Sequence, residues 1–224
     1  MKKLEGLSRE MIALRVSREI KDGDYVNLGI GIPTLVSNWI EERDVVLQSE
    51  IGMTKTGPLA SGDEVEQDRI NASCQAVKEL PGTAYFDIVE SFSMIRGGFM
   101  DVIVMGAMQV DATGDYAGWA NPTRGLYGVG NIGGSMDLAA GARKLLIAME
   151  HTTKDGQCKI VNELTYPATT EGKVDMIFTD LAVIEVTPKG LLLKEVFPGL
   201  TAEDVQSVTE PKLIISPDLK EIEL

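Results

Sequence analysis

The sequence holds one histidine, two cysteines and 5% aromatic residues in 224 positions. A single imidazole, His151, excludes any mechanism that needs two and leaves one way to build a Ser-His-Asp triad. Cys74 and Cys158 are too few for a disulfide framework and too isolated for a zinc site, which wants paired ligands at short spacing. No metal is expected, and a reducing, cytoplasmic setting fits. No uncharged run reaches membrane-spanning length, and charges run through the opening residues, so neither a membrane association nor an export signal is expected. Cations are scarce as well: 21 Lys and Arg face 34 Asp and Glu, a formal net charge of −13. That balance repels a polyanion and no basic patch offsets it, so nucleic-acid binding is not expected. Catalysis then falls to carboxylates or to the backbone.

What is present is the make-up of a globular protein, with 44% hydrophobic and 25% charged residues. With no internal repeat, Ser/Gly linker or low-complexity tract, residues 1–224 read as one domain. Residues 8–21 place Met11, Ile12, Val16 and Ile20 near one helical face, with Ser8 as a cap, and this helix is expected to cover a sheet. Tyr25–Leu28 reads as a strand, Gly29–Gly31 as a tight turn, and Pro33–Ile40 as a helix opened by proline. A second strand over residues 44–48 follows closely. Apolar runs at 102–105 and 145–149 are continuous rather than alternating, as in strands buried on both faces. A helix is expected over 136–144. Residues 181–186 and 191–196 flank the turn Thr187–Gly190, an antiparallel hairpin, and Thr201–Asp204 forms a capping box. The tail beyond Pro217 reads as a peripheral arm. The fold class is α/β: an open, mostly parallel sheet flanked by helices, with a C-terminal antiparallel hairpin.

Glycine is concentrated, with 11 of 23 in residues 97–142. Gly118, Gly125, Gly128, Gly130, Gly133 and Gly134 precede the 136–144 helix, where N–H groups and the helix dipole can hold an anion or a developing oxyanion. A long loop with several turns satisfies the same pattern. Gly29-Ile30-Gly31-Ile32-Pro33-Thr34 starts like a dinucleotide fingerprint but has Thr34 where the third glycine belongs, so a plain strand-to-helix crossover also fits. Glu50 follows the apolar strand at what would be its carboxyl end, where ligand crevices of open α/β sheets form. A solvated loop acid is the plainer alternative. His151 also ends a strand and is a second candidate acid or base, or a structural histidine.

Several stretches together resemble the B subunit of 3-oxoacid CoA-transferases: VNLGIGIPTLVSNWI at 26–40, LQSE at 47–50, ELPGTAYFD at 79–87, SFSMIRGGFMDVIVMGAMQVDATGD at 91–115, GNIGGSMDLAAGARK at 130–144, MEHTTKDG at 149–156 and TDLAVIEV at 179–186. They occur in the family's order and cover most of the chain. The resemblance implies a CoA-transferase-like fold, shared with some sugar-phosphate isomerases. It also implies a glutamate nucleophile and an A subunit of similar size, in a heterodimer or heterotetramer, that completes the site. Its serine-glutamate pair falls on Ser49-Glu50, making Glu50 the nucleophile. Its glycine pair falls on Gly133-Gly134, and the Gly134 N–H would serve the oxyanion.

The resemblance further implies substrates, an acyl-CoA and a carboxylic acid, and no cofactor, since coenzyme A enters as a thioester substrate. Gly29, Gly31, Ile51, Cys74, Gly118 and Gly133 would lie along the substrate. Three positions depart from the family: Ile51 replaces the asparagine after serine-glutamate, and a lysine and an asparagine near the substrate become Cys74 and Gly118. An acyl pocket more apolar than usual is expected, with a best acid other than acetoacetate or succinate, unless Lys55 restores the lost charge. Two other classes remain: a sugar-phosphate isomerase with Glu50 as base, and a non-catalytic protein that binds small molecules.

Overall fold

The computed structural model describes residues 4–122, 125 and 133–224. The N-terminal helix, α1 (Arg9–Ser17), starts where expected because the Ser8 hydroxyl accepts the Met11 N–H at 3.3 Å. It ends before Lys21, whose N–H is captured by the Asp24 carboxylate at 2.7 Å. β1 (Tyr25–Leu28) leads through residues Pro33–Trp39 to β2 (Val46–Ser49). The Pro33–Trp39 stretch is a 3₁₀ helix; the Leu35 N–H bonds Ile32 O, three residues back, at 3.1 Å.

The chain continues through β3 (Met53–Leu59), β4 (Val77–Tyr85), α2 (Ile88–Arg96), β5 (Val102–Met105), β6 (Gln109–Asp111) and β7 (Tyr116–Ala117). Next come α3 (Ser135–Gly141), β8 (Lys144–Ala148), β9 (Ile160–Val161), β10 (Val174–Phe178), β11 (Ala182–Thr187), β12 (Gly190–Val196), α4 (Ala202–Gln206) and β13 (Ile214–Glu221). Among the described residues a ten-stranded sheet runs β13-β12-β11-β10-β8-β5-β1-β2-β3-β4. Its central strands β2, β1, β5, β8 and β10 are mutually parallel, and antiparallel pairings lie on both sides. β6, β7 and β9 form a separate small sheet.

The continuous apolar strands are buried on both faces. Val102, Val104, Leu146 and Ala148 face a core under α1 and the 3₁₀ helix, while Ile103, Met105, Leu145 and Ile147 face a core shared with Ile95 of α2 and Leu138 of α3. Arg15 of α1 reaches Glu195 of β12 with two short bonds, Nε to Oε2 at 2.7 Å and Nη2 to Oε1 at 2.8 Å, tying the first helix to the C-terminal hairpin.

Two expectations are corrected. The helix expected over 136–144 stops at Gly141, because Ala142 turns extended and Lys144 already pairs with Val102 in the sheet. The tail is not a peripheral arm: β13 pairs in parallel with β12 as an edge strand, where Pro217 removes only one donor. The β11–β12 hairpin is antiparallel as expected.

Candidate functional site

Chain order places β2 on one side of β1 and β5 on the other, so the carboxyl ends of β1, β2 and β5 meet at a switch in strand order. Ligand crevices of open α/β sheets form at such points. Glu50 stands there. It is half-buried, the first residue of the tight turn Glu50–Gly52 that reverses β2 into β3. The Ser49 carbonyl accepts the Gly52 N–H at 3.0 Å, and Gly52 has φ +126. A Cβ at Gly52 would lie 2.2 Å from the Phe86 carbonyl oxygen, so the turn is pressed onto the β4–α2 junction.

Beneath Glu50 lies a buried polar relay. Asn27 of β1 is the register partner of Gln48 of β2. The Asn27 side-chain amide donates to Glu50 Oε2 at 3.3 Å, to Gln48 O at 3.1 Å and to Gln48 Oε1 at 2.6 Å. Gln48 Nε2 donates in turn to the Ser91 hydroxyl of α2 at 2.7 Å. The Asn27 Oδ1 is buried with no donor among the described residues. An orphaned acceptor of this kind costs about 1–3 kcal/mol, a sum a folded chain tolerates where other demands fix the amide.

Two segments that carry expected site residues are tied to this turn. The Thr34 hydroxyl donates to Gly29 O at 2.8 Å and lies 3.3 Å from the Ser73 hydroxyl. The Ala72 N–H donates to the Ser49 hydroxyl at 3.0 Å. The Gly29 turn and the 71–75 turn bearing Cys74 are thereby tied to Ser49-Glu50, and a narrow cavity bordered by Thr34, Ser37, Gln48, Ser49, Asn71 and Ala72 opens beside them. Gly29 is closely approached, since a Cβ there would sit 3.1 Å from Val104 O and 3.2 Å from Met105 Sδ. Gly31 takes φ +95 with open space around it. Ile51, 46% exposed, and Cys74, exposed with φ +57, both show themselves at the surface. The Gly118 N–H is taken by the Thr169 hydroxyl at 2.9 Å, and a Cβ at Gly118 would sit 3.1 Å from Gly106 O beyond β5. Lys55 is exposed, with its ammonium against Gly82 of β4.

α2 ties the end of β2 to the glycine pair. Ser91 holds Gln48, and the next residue, Phe92, lies so close to Gly134 that a Cβ there would be 2.5 Å from its ring. Gly134 is the N-cap of α3, and Gly133 before it has φ +47. Gly141, at the other end of α3, is pressed onto Ile95 O. Gly128 and Gly130 lie outside the described residues.

His151 is structural. It is fully buried between the Thr179 hydroxyl, 2.9 Å from Nδ1, and the Thr209 hydroxyl, 2.8 Å from Nε2. Burial first, and the Lys159 charge second, lower its pKa to about 3 from an ordinary 6.5. The unfolded chain therefore binds a proton that the folded one excludes, and the associated stability, complete above pH 6.5, is lost as pH falls toward 3. Urea unfolding of His151→Gln across that window should show a flatter pH dependence than the parent protein; equal slopes would refute this.

Residues 9–207 match the family described as coenzyme A transferase. The chain belongs to the coenzyme A transferase family. It is 45% identical over 208 residues to the B subunit of the 3-oxoadipate CoA-transferase of Pseudomonas putida, covering 93% of this chain and 97% of that one. It is 40% identical over 202 residues to the B subunit of the succinyl-CoA:3-ketoacid coenzyme A transferase of Helicobacter pylori, covering 90% and 96%. Among solved structures it resembles an acyl-CoA transferase (YdiF) of Escherichia coli O157:H7 with TM-score 0.76 at 23% identity. That match covers 99% of this chain and 44% of that one, so this CoA-transferase chain spans less than half of that protein. No described helix is long and apolar enough to cross a membrane.

Sequence reading singled out Glu50 but not Asn27, Gln48 or Ser91. A signal was present: Asn27 and Gln48 are amides inside apolar strand runs, and a buried amide needs partners.

Proposed function

We propose that this chain is the B-type subunit of a CoA-transferase that moves CoA from an acyl-CoA to a carboxylic acid through a thioester on Glu50. The observation that carries the reading is the placement of Glu50 at the strand-order switch, half-buried and held by an amide from below. A Glu50 carboxylate oxygen attacks the acyl-CoA carbonyl, and the tetrahedral oxyanion collapses with loss of CoA thiolate to a mixed anhydride. The thiolate then attacks the Glu50 carbonyl, releasing the first acid and leaving glutamyl-CoA. An incoming carboxylate reverses both steps. An N–H from Gly134 aimed at the oxyanion would be worth about 3–4 kcal/mol. These steps call for no metal or organic cofactor.

The relatives are named as subunits, and this chain has no surplus of cations to meet the CoA phosphates at a net charge of −13. An A-type partner supplying them, in a hetero-oligomer within a reducing cytoplasm, completes the reading. Ile51, Cys74 and Gly118 bring no side-chain hydrogen-bond donor stronger than a thiol, which favours a short monocarboxylate or an uncharged 3-oxoacid as acceptor.

The test is trapping. Borohydride reduces a glutamyl thioester to an alcohol, so the complete enzyme should lose activity, and the peptide carrying Glu50 should lose mass, only after acyl-CoA is added. Reduction at another residue, or without acyl-CoA, overturns the assignment.

A further inference from the structure

We infer that Gln48 and Ser91 are positioning residues for Glu50, acting through the Asn27 amide; the inference rests on Glu50 being the nucleophile. The direction of every bond in the relay is fixed by one atom that cannot turn. The Gln48 backbone carbonyl lies 3.1 Å from Asn27 Nδ2, and a carbonyl only accepts. Reversing the Asn27 amide would set Oδ1 against that carbonyl and against Glu50 Oε2 at once, two repulsions in a buried site. Asn27 must therefore present its NH₂ upward. Gln48 then has to offer Oε1 to it, at 2.6 Å, which leaves Gln48 Nε2 to be satisfied elsewhere, and Ser91 satisfies it at 2.7 Å.

All three side chains are buried, so each of these choices is enforced rather than averaged by solvent. The orphaned Asn27 Oδ1 shows what the arrangement sacrifices: the amide leaves its own acceptor unmatched while its NH₂ serves three oxygens. The last link is on α2, one residue before Phe92, the side chain packed against Gly134. A single helix turn thus sets both the rotamer of the nucleophile's tether and the seat of the glycine pair. A glutamate has three rotatable side-chain bonds, and the 3.3 Å bond from Asn27 is long enough to orient the carboxylate without strongly quenching it.

The experiment uses the complete enzyme and follows the single-turnover rate at which borohydride-sensitive thioester appears on Glu50. Gln48→Met should slow it about 10- to 100-fold with the KM for acyl-CoA changed less than about threefold, since geometry and not binding is lost. Asn27→Ala should be at least as slow, and the Gln48→Met/Asn27→Ala double variant no slower than Asn27→Ala alone, because a residue acting through Asn27 has nothing left to act on. Ser91→Ala, a smaller change for the case in which Gln48→Met does not fold, should follow the same pattern with a smaller loss. Losses that multiply in the double variants, or a rise in KM at unchanged rate, overturn the inference while leaving Glu50 as nucleophile. Absence of any thioester on Glu50 in the parent enzyme overturns that reading, and this inference with it.

Discussion

Glu50→Ala is expected to lower kcat for CoA transfer by about 10⁴-fold or more while leaving the unfolding transition almost unmoved. The two halves of this result come from different features of the site. The chemical half follows from removing the only group in the proposed sequence that forms a covalent bond to the acyl carbon and then to CoA. The structural half follows from how lightly Glu50 is bound: it is half-buried, and its bond to Asn27 is 3.3 Å long. When the carboxylate is gone, the Asn27 NH₂ keeps both of its Gln48 acceptors, so no new buried donor is orphaned. Glu50→Asp should fall between, at about 10²- to 10³-fold, because one lost methylene withdraws the oxygens by more than an ångström from the attack position. Steady-state kinetics on the complete enzyme, set beside urea unfolding of each variant, gives both numbers. Transfer within tenfold of the parent in Glu50→Ala would show that another group is the nucleophile.

The central sheet was legible because its strands carry a signal that needs no partner. Val102–Met105 and Lys144–Ala148 are apolar almost without interruption, and only strands buried on two faces use residues that way. The strands β3 and β4 were not legible, since Gly57, Pro58, Pro81 and Gly82 interrupt them and their pairing shifts register between Thr54 and Leu59. α2 was missed although its cap is a familiar one: the Asp87 carboxylate accepts the Glu90 N–H at 2.9 Å. β13 was misread because Pro217 and a run of charges look like the end of a fold, whereas an edge strand tolerates both.

The site divides along the same line. Glu50 was a candidate from its position one residue past an apolar strand, where a solvated loop acid fits as well, and it was the serine-glutamate match of the family resemblance that singled it out. Its supporting relay could not be found from position, because Asn27 and Gln48 become partners only through the β1–β2 register, and Ser91 only when α2, which follows β4, returns to the end of β2. The glycines split too. Gly29, Gly52, Gly134 and Gly141 meet atoms that approach from distant parts of the chain, and a one-dimensional reading sees only that a side chain is missing.

Gly52→Ala is expected to be the most damaging single-methyl change near the site, costing about 2–6 kcal/mol of stability and more than about 100-fold in kcat. Two penalties add. At φ +126, outside the left-handed helical well, an L-residue is strained by about 1–3 kcal/mol, and the new Cβ would sit 2.2 Å from the Phe86 carbonyl oxygen, an overpacking of the kind that costs about 1–3 kcal/mol. The obstacle is backbone, so no rotamer change relieves it, and the turn has to lift from the β4–α2 junction. That movement breaks the Phe86 N–H bond to Gly52 O, now 3.0 Å, and carries Glu50 with it, away from Asn27. Gly62→Ala is the matched control: φ there is +58 with nothing near the added Cβ, so it should cost only about 1–2 kcal/mol of left-handed strain and leave kcat unchanged. Denaturant unfolding and kcat for the two variants separate backbone strain from the close approach. If Gly52→Ala proves no worse than Gly62→Ala in both measurements, the turn is not clamped by Phe86, and the rigid seating of Glu50 has to come from Asn27 and its relay alone.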